Sequence, residues 1–254
     1  MQLKVSLIGT GKVATQLAKA LTSKGISIHE VVSKNQFNAV DFCKIFGGKA
    51  INRVEELGPC DLIIMAIKDD QIESVASKTP THSPLVHTSG SVSMISLGVD
   101  REVGVFYPLQ TFTKSGQPNW NEIPILLEAI NDELFQLLND LASLISNKTY
   151  AINTLQRRQL HLAAVFSCNF TNHLLGIANT ICDDHHIPFE LLHPLIEETF
   201  NKAQKENPFL HQTGPAVRND QKIILYQMDQ LNDHSDWQEI YKTLTSSIQN
   251  QSNE

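Results

Sequence analysis

The chain has 254 residues, a formal net charge of −7, and 41% hydrophobic against 19% charged residues, which describes a globular protein with room for two modest cores and excludes a disordered or fibrous one. The acidic balance provides no cluster of Lys and Arg for a phosphate backbone or an anionic lipid, which speaks against nucleic-acid and membrane partners. No apolar run approaches a membrane span, and Met1-Gln2-Leu3-Lys4-Val5 lacks the features of a secretory leader, so a cytoplasmic protein is expected.

Strand-like and helix-like segments alternate from the start, the pattern of a parallel sheet covered by helices. Lys4–Ile8 reads as the first strand. Val13, Leu17, Ala20 and Leu21 then recur at helical spacing, and residues 27–33 return as a second strand, completing a βαβ unit. Residues 37–46 form a helix that stops at Gly47-Gly48, and 49–51 a short strand. The run 61–67, DLIIMAI, is apolar without alternation, as a central strand buried on both faces should be. Residues 85–88 and 103–106 are further short strands, and the Pro, Gly, Gln and Thr content of 108–122 marks a loop. After it come an edge strand at 124–127, a helix at Asp132–Ile145 and a closing strand at 149–152.

Beyond that point strand signals cease. The expected organisation is therefore α/β: a Rossmann-type, mostly parallel sheet over residues 1–152, followed by an all-helical domain over 153–254. Its first segment, 155–182, is apolar on several faces and reads as one long buried helix. Pro188 and Pro215 suit first helical turns, whereas Pro194 is expected to interrupt its helix. Ser235 with Gln238 matches a capping box ahead of an apolar stripe of Trp237, Ile240, Tyr241, Leu244 and Ile248, and the polar tail after Gln249 is expected to fray.

Gly9-Thr10-Gly11-Lys12-Val13-Ala14 fits the G-x-G-x-x-G/A fingerprint of dinucleotide binding, in the strand-to-helix context that gives the pattern meaning. Gly9 permits the tight turn, Gly11 admits a pyrophosphate to the backbone amides, and Ala14 takes the third-glycine place at the helix-strand contact. An enzyme using NAD ends its second strand in a carboxylate that holds the ribose 2′-hydroxyl. Here that strand ends Ser33-Lys34-Asn35, partners suited to a 2′-phosphate, so NADP(H) is the expected cofactor. Glu30 argues for NAD but falls early in the strand. Ala66-Ile67-Lys68 and Ser89-Gly90 follow later strands, where open sheets bind ligands, and are expected to face cofactor and substrate respectively.

The succession GTGKVA, DLIIMAIKDD, HTSGS, FYPLQTF, HLAAVFSCNF and TGPAVRND resembles a Rossmann-like oxidoreductase family with a helical C-terminal domain. More distantly it is similar to 3-hydroxyacid dehydrogenases, ketopantoate reductase, pyrroline-5-carboxylate reductase and deazaflavin-dependent NADP reductases. The resemblance implies NADP binding, a helical domain that serves as a homodimer interface, and a small-molecule substrate whose identity it does not fix. It also leaves deazaflavin open as a second cofactor. In the hydroxyacid dehydrogenases the first long helix of the second domain carries a catalytic Lys four residues before an Asn. Asn169 matches that Asn, but Val165 stands in the Lys position and cannot protonate a developing alkoxide.

His161, one turn before Val165, is the acid/base candidate, with a core histidine as the rival explanation; Asn169 orients substrate or satisfies backbone groups. Arg218, expected with Asp220 in the first turn after Thr213-Gly214-Pro215, either clamps a substrate carboxylate or forms a salt bridge. Trp120 and Phe112 flank the cofactor cleft or anchor their loop. Asp183, Asp184, His185, His186 and His193 lack ligand spacing and read as turn residues, and the four cysteines lack CxxC pairing, so no metal is expected. Hydride transfer to a small carbonyl or imine is the expected activity. The alternative is a non-catalytic NADP-binding sensor or binding module, which the absent lysine would suit.

Overall fold

The computed structural model describes residues 3–252 and divides into two compact units, Met1–Val165 and Phe166–Glu254. The first is built on an eight-stranded sheet: β1 (Lys4–Ile8), β2 (Ser27–Val32), β3 (Lys49–Ile51), β4 (Leu62–Met65), β5 (Leu85–His87), β6 (Val103–Pro108), β7 (Ile125–Ala129) and β8 (Thr149–Ala151). Their order is β3-β2-β1-β4-β5-β6-β7-β8. The first six run parallel, β7 is antiparallel to β6, and β8 is parallel to β7. The 124–127 segment is thus not an edge strand. It is β7, where the strand direction reverses, and β8, running the same way as β7, takes the edge.

Helices α1 (Lys12–Ser23), α2 (Gln36–Phe46), α3 (Ile72–Ala76) and α4 (Asp132–Ile145) provide the connections. Strand β4 shows why its run is apolar without alternation. Leu62 and Ile64 enter the layer beneath α1, α2 and α4, with Leu17, Leu21, Phe42 and Leu138, while Ile63 and Met65 enter the opposite layer with Ile72, Leu85 and Leu97. All four are fully buried, and each contributes about 1.5–3 kcal/mol by leaving water. The short α3 carried no clear periodic signal. The loop after β6 is held to α1 by the buried Gln16, whose side-chain amide donates to the carbonyls of Thr113 and Gly116 at 2.6 and 2.9 Å. Phe112 and Trp120 stack at 5.4 Å, so these aromatics anchor the loop.

Helix α5 (Thr154–Ala164) closes the first unit and opens on a capping box formed by Asn153 and Gln156. The chain then continues through a π-helical stretch, Val165–Phe170, into α6 (Thr171–Asp184), so the single α-helix expected over 155–182 is interrupted. A wider turn inserts one residue and rotates the face of everything after it. The α-helical facing of Val165 and Asn169 assumed from spacing therefore does not apply across this stretch.

The second unit holds α6, α7 (His193–Ala203), α8 (Gln221–Asp229) and α9 (Ser235–Ser252). Pro194 does not interrupt α7. It occupies the first turn, where its missing N–H costs nothing, because a 3₁₀ turn at Phe189–Leu192 precedes the helix, with Pro188 as that turn's N-cap. Pro215 and Arg218 lie in a turn before α8, and Asp220 is its N-cap, accepting from the Ile223 amide. The expected capping box of Ser235 does not form. Ser235 is already helical, and the Gln238 amide instead donates to the Met228 carbonyl at 2.9 Å. Helix α9 extends through Ser252, past the point where fraying was expected; residues 253–254 lie outside the described residues.

Candidate functional site

Register aligns the ends of the parallel strands. Ile8 pairs with Val32 and Met65, Val32 with Ile51, Met65 with His87, and His87 with Val105. The residues that follow Ile8, Val32, Ile51, Met65 and His87, namely Gly9, Ser33, Asn52, Ala66 and Thr88, therefore emerge along one edge of the sheet, and Tyr107 lies two residues past Val105 where β6 runs on beyond its pairing with β5. The strand order reverses between β1 and β4, which opens the crevice where such sheets take ligands.

Gly9 sits at the centre of that edge with φ +110°, and a Cβ there would lie 2.2 Å from the Ala66 carbonyl oxygen. Only glycine allows β1 and β4 to end this close. At Gly11, by contrast, a Cβ would meet nothing within 4 Å, so the missing side chain faces open space. Gly11 is also the N-cap of α1 and supplies no side-chain hydrogen bond, leaving the first amides of a 12-residue helix to an anion from outside. Lys12 is exposed, Val13 half-buried, and Ala14 buried in the contact with the sheet. A glycine cradle, uncapped amides and open approach fit a dinucleotide pyrophosphate.

Thr10 and Ser33 join their hydroxyls at 3.1 Å, tying the glycine loop to the tip of β2. A cleft of about 480 Å³ continues from there, lined by Gly9, Ser33, Lys34, Arg53, Ile67 and Lys78 among others. No carboxylate stands at the β2 tip. Glu30 is buried within the strand and accepts from the Gly58 amide at 2.7 Å, so it has a structural partner. Asn35 caps α2 by accepting from the Phe37 amide, Ala66 donates its amide to Ile8, and Lys68 is exposed just beyond Ile67.

Farther along the edge, side chains distant in sequence meet. The Tyr107 hydroxyl lies 3.0 Å from Nδ1 of His161. The His161 ring covers Gly90 so closely that a Cβ at that position would approach it to 2.6 Å. Helix α5 grips this loop at three points: Arg157 donates to the Val92 carbonyl, Arg158 to the Ser91 carbonyl at 2.6 Å, and His161 rests on Gly90. Arg157 is fully buried and paired with Glu128 of β7, which also accepts from Thr154. Ser89 is buried, and its hydroxyl oxygen accepts from the amides of Ser91 and Val92, so it shapes the loop.

Burial, together with the nearby Arg157 charge, drives the pKa of His87 down to about 4, so its imidazole is neutral at physiological pH and accepts from the Ser89 amide through Nδ1. Burial also pushes the Tyr107 phenol up, the Asp69 charge adds to this, and Arg157 partly opposes it. The phenol therefore keeps its proton at neutral pH and shares a hydrogen bond with Nδ1 of His161, in which the imidazole tautomer decides which group donates.

Gly90, Tyr107 and His161 thus come together in the first unit. Asn169 and Arg218 belong to the second, where both are exposed. Tyr107 and Arg53 were not singled out from sequence, although each follows an expected strand and the strand-end rule points to both. Among the described residues no three His, Cys, Asp or Glu side chains gather as a metal site, and no helix is long and apolar enough to cross a membrane.

Residues 4–93 match the family described as NADP oxidoreductase, coenzyme F420-dependent, and residues 123–248 match a domain of unknown function, DUF2520. A crystal structure from Bacteroides fragilis, provisionally named an NADP oxidoreductase, is 35% identical, with 98% of each chain covered and a TM-score of 0.89. The reductive aminase of Aspergillus terreus, in complex with NADPH and ethyl-5-oxohexanoate, is 12% identical over 98% of this chain and 93% of its own, at a TM-score of 0.71. The imine reductase of Myxococcus stipitatus, in complex with NADP+, is 15% identical over 97% and 93%, at 0.68. The last two establish likeness of fold alone. No curated protein matches the chain.

Proposed function

The chain belongs to the NADP oxidoreductase family that joins an F420-dependent-type Rossmann domain to the helical DUF2520 domain, and from that membership we propose that it binds NADP(H) and reduces a small carbonyl or imine compound. The observation that carries the activity is the Tyr107 to His161 hydrogen bond on the same sheet edge as the Gly9 cradle. The pyrophosphate would lie on the amides following Gly9, the adenosine end in the cleft beside Ser33 and Lys34, and the remainder toward Ala66, Ile67 and Gly90. When bound, the reduced cofactor supplies a hydride; the protein supplies the proton and the orientation.

As charge develops on the substrate oxygen or nitrogen, His161, in the tautomer that carries its proton on Nε2, gives up that proton while Nδ1 takes the phenolic proton of Tyr107. The resulting phenolate regains a proton from water. An alkoxide is far more basic than a phenolate, so the relay runs downhill. This pair takes over the role that Val165 cannot fill, and it favours an enzyme over a cofactor sensor. Asn169 and Arg218 are proposed to orient substrate, Arg218 by pairing with a carboxylate.

A homodimer formed through the helical unit is part of the same proposal. Among its described residues only Cys182, Ala216 and Ile224 are buried, while Phe166, Leu191, Leu195, Leu210 and Leu225 are each more than 60% exposed. Apolar surface on that scale is usually covered. Four free cysteines suit a reducing, cytoplasmic compartment.

His161→Ala tests the activity. With NADPH and a panel that includes a keto ester and a cyclic imine, the variant is expected to lose about 10²–10⁴-fold in turnover while holding NADPH as tightly as the parent. Loss of NADPH affinity without loss of turnover would contradict the proton role, and a parent protein that binds NADPH but turns over none of the panel would favour the sensor.

A further inference from the structure

The cofactor cleft carries a cation that does not come from the strand conventionally read for cofactor choice. Val32 and Ile51 are in register, so the residues after β2 and after β3 leave the sheet side by side. Ser33 and Lys34 line the cleft from the β2 side, and Asn52 and Arg53 from the β3 side. With Lys78 there are three cations on the cleft wall against one carboxylate, Glu55. Resting on the proposal that the cofactor is NADP(H), we propose that Arg53 is the residue that recognises the ribose 2′-phosphate, closing on it from the β3 side while Ser33 and Lys34 meet it from the β2 side.

Three features single out Arg53 from the lysines. A planar guanidinium presents parallel donors that match two phosphate oxygens, which a lysine cannot do. Its existing bond is to Glu56 through Nε at 2.9 Å, which leaves both terminal nitrogens for a second acceptor. That bond also fixes the side chain in place: Glu56 lies three residues on, in the 3₁₀ turn Val54–Glu56 that starts directly after Arg53. Glu56 thus acts as a bracket, and the phosphate would take the open side of the fork. Where NAD enzymes repel a 2′-phosphate with a carboxylate, this cleft has Ser33 at the β2 tip; of the two glutamates that follow Arg53, Glu56 is engaged with its Nε and Glu55 is the one carboxylate on the cleft wall.

Adenosine 2′,5′-bisphosphate and 5′-AMP differ only by the phosphate in question and need no turnover, so calorimetric titration of both against the parent chain and Arg53→Ala provides the test. The Arg53 side chain is 71% exposed, and its removal should leave folding intact. The parent is expected to prefer the bisphosphate by about tenfold or more, and the variant to lose most of that preference with 5′-AMP binding unchanged. Arg53→Lys should fall between them. A variant that keeps the full preference, or one that loses both ligands equally, overturns the assignment of Arg53. A parent that shows no preference overturns the NADP proposal itself, an outcome recognisable before any variant is made.

Discussion

Alanine at position 9 is expected to cost roughly 2–4 kcal/mol of stability and to weaken NADPH binding by about 100-fold or more, because strain and clash act on one atom. Gly9 has φ +110°, where an L side chain is strained, and its Cβ would sit 2.2 Å from the oxygen and 2.9 Å from the carbon of the Ala66 carbonyl. Both are backbone atoms of the neighbouring strand end and cannot swing away. Relief requires β1 and β4 to separate where the crevice opens, and this breaks the Ala66 amide to Ile8 carbonyl bond of 2.8 Å. Gly11→Ala provides the contrast. No protein atom meets the new methyl group, so thermal stability should match the parent while NADPH binding falls through obstruction of the ligand's approach. Thermal unfolding and calorimetry on the two variants separate the effects. Gly9→Ala with the parent's melting temperature and affinity would show that the strand ends do not meet as described.

Arg157→Met is expected to destabilise the fold by about 3–5 kcal/mol, because it leaves the half-buried Glu128 carboxylate without its cation. The Val92 carbonyl loses its donor as well. Arg157 holds α5 to β7 and, through Val92, to the loop that His161 covers one turn later. Turnover should therefore fall with stability. Adding Glu128→Leu to the variant should recover part of the loss, since the pair is then replaced as a unit rather than broken. Urea unfolding of the single and double variants measures both numbers. A loss under about 1 kcal/mol for Arg157→Met would mean that the pair is exposed in solution and does not clamp the helix.

What could be read from the sequence was what depends on neighbours along the chain. The glycine loop states its own geometry, since a strand, a positive φ and a helix start occur within a few residues. The run 61–67 announced a strand buried on both faces, and β4 lies within it. The reversal at β7 could not be read this way, because its local pattern of apolar residues is the same in either direction. Pro194 was misjudged for a related reason: whether proline breaks a helix or begins one depends on where the helix starts, and the preceding 3₁₀ turn decided that. The π-helical turn at Val165–Phe170 has no sequence signature, and it undoes a facing argument that assumed 3.6 residues per turn.

The candidate site was half legible. The motif and the strand end pointed to Gly9 to Ala14 and Ser33 to Asn35, which the fold sets at the ends of β1 and β2, although Asn35 spends its side-chain oxygen on capping α2. His161 was singled out as a titratable group, but its hydrogen-bond partner lies 54 residues earlier on another element. Only the folded chain shows that Gly90 is small because an imidazole ring covers it. Ser89 illustrates the converse: a hydroxyl at a strand end suggested a ligand, whereas two loop amides already use its oxygen.

The most direct test of the account is calorimetric titration of the purified chain with NADPH and, separately, with NADH. The account predicts that NADPH binds about tenfold or more tightly than NADH, as expected of a 2′-phosphate met by charge-assisted hydrogen bonds beside Ser33. Tighter binding of NADH, or no binding of either, would contradict it.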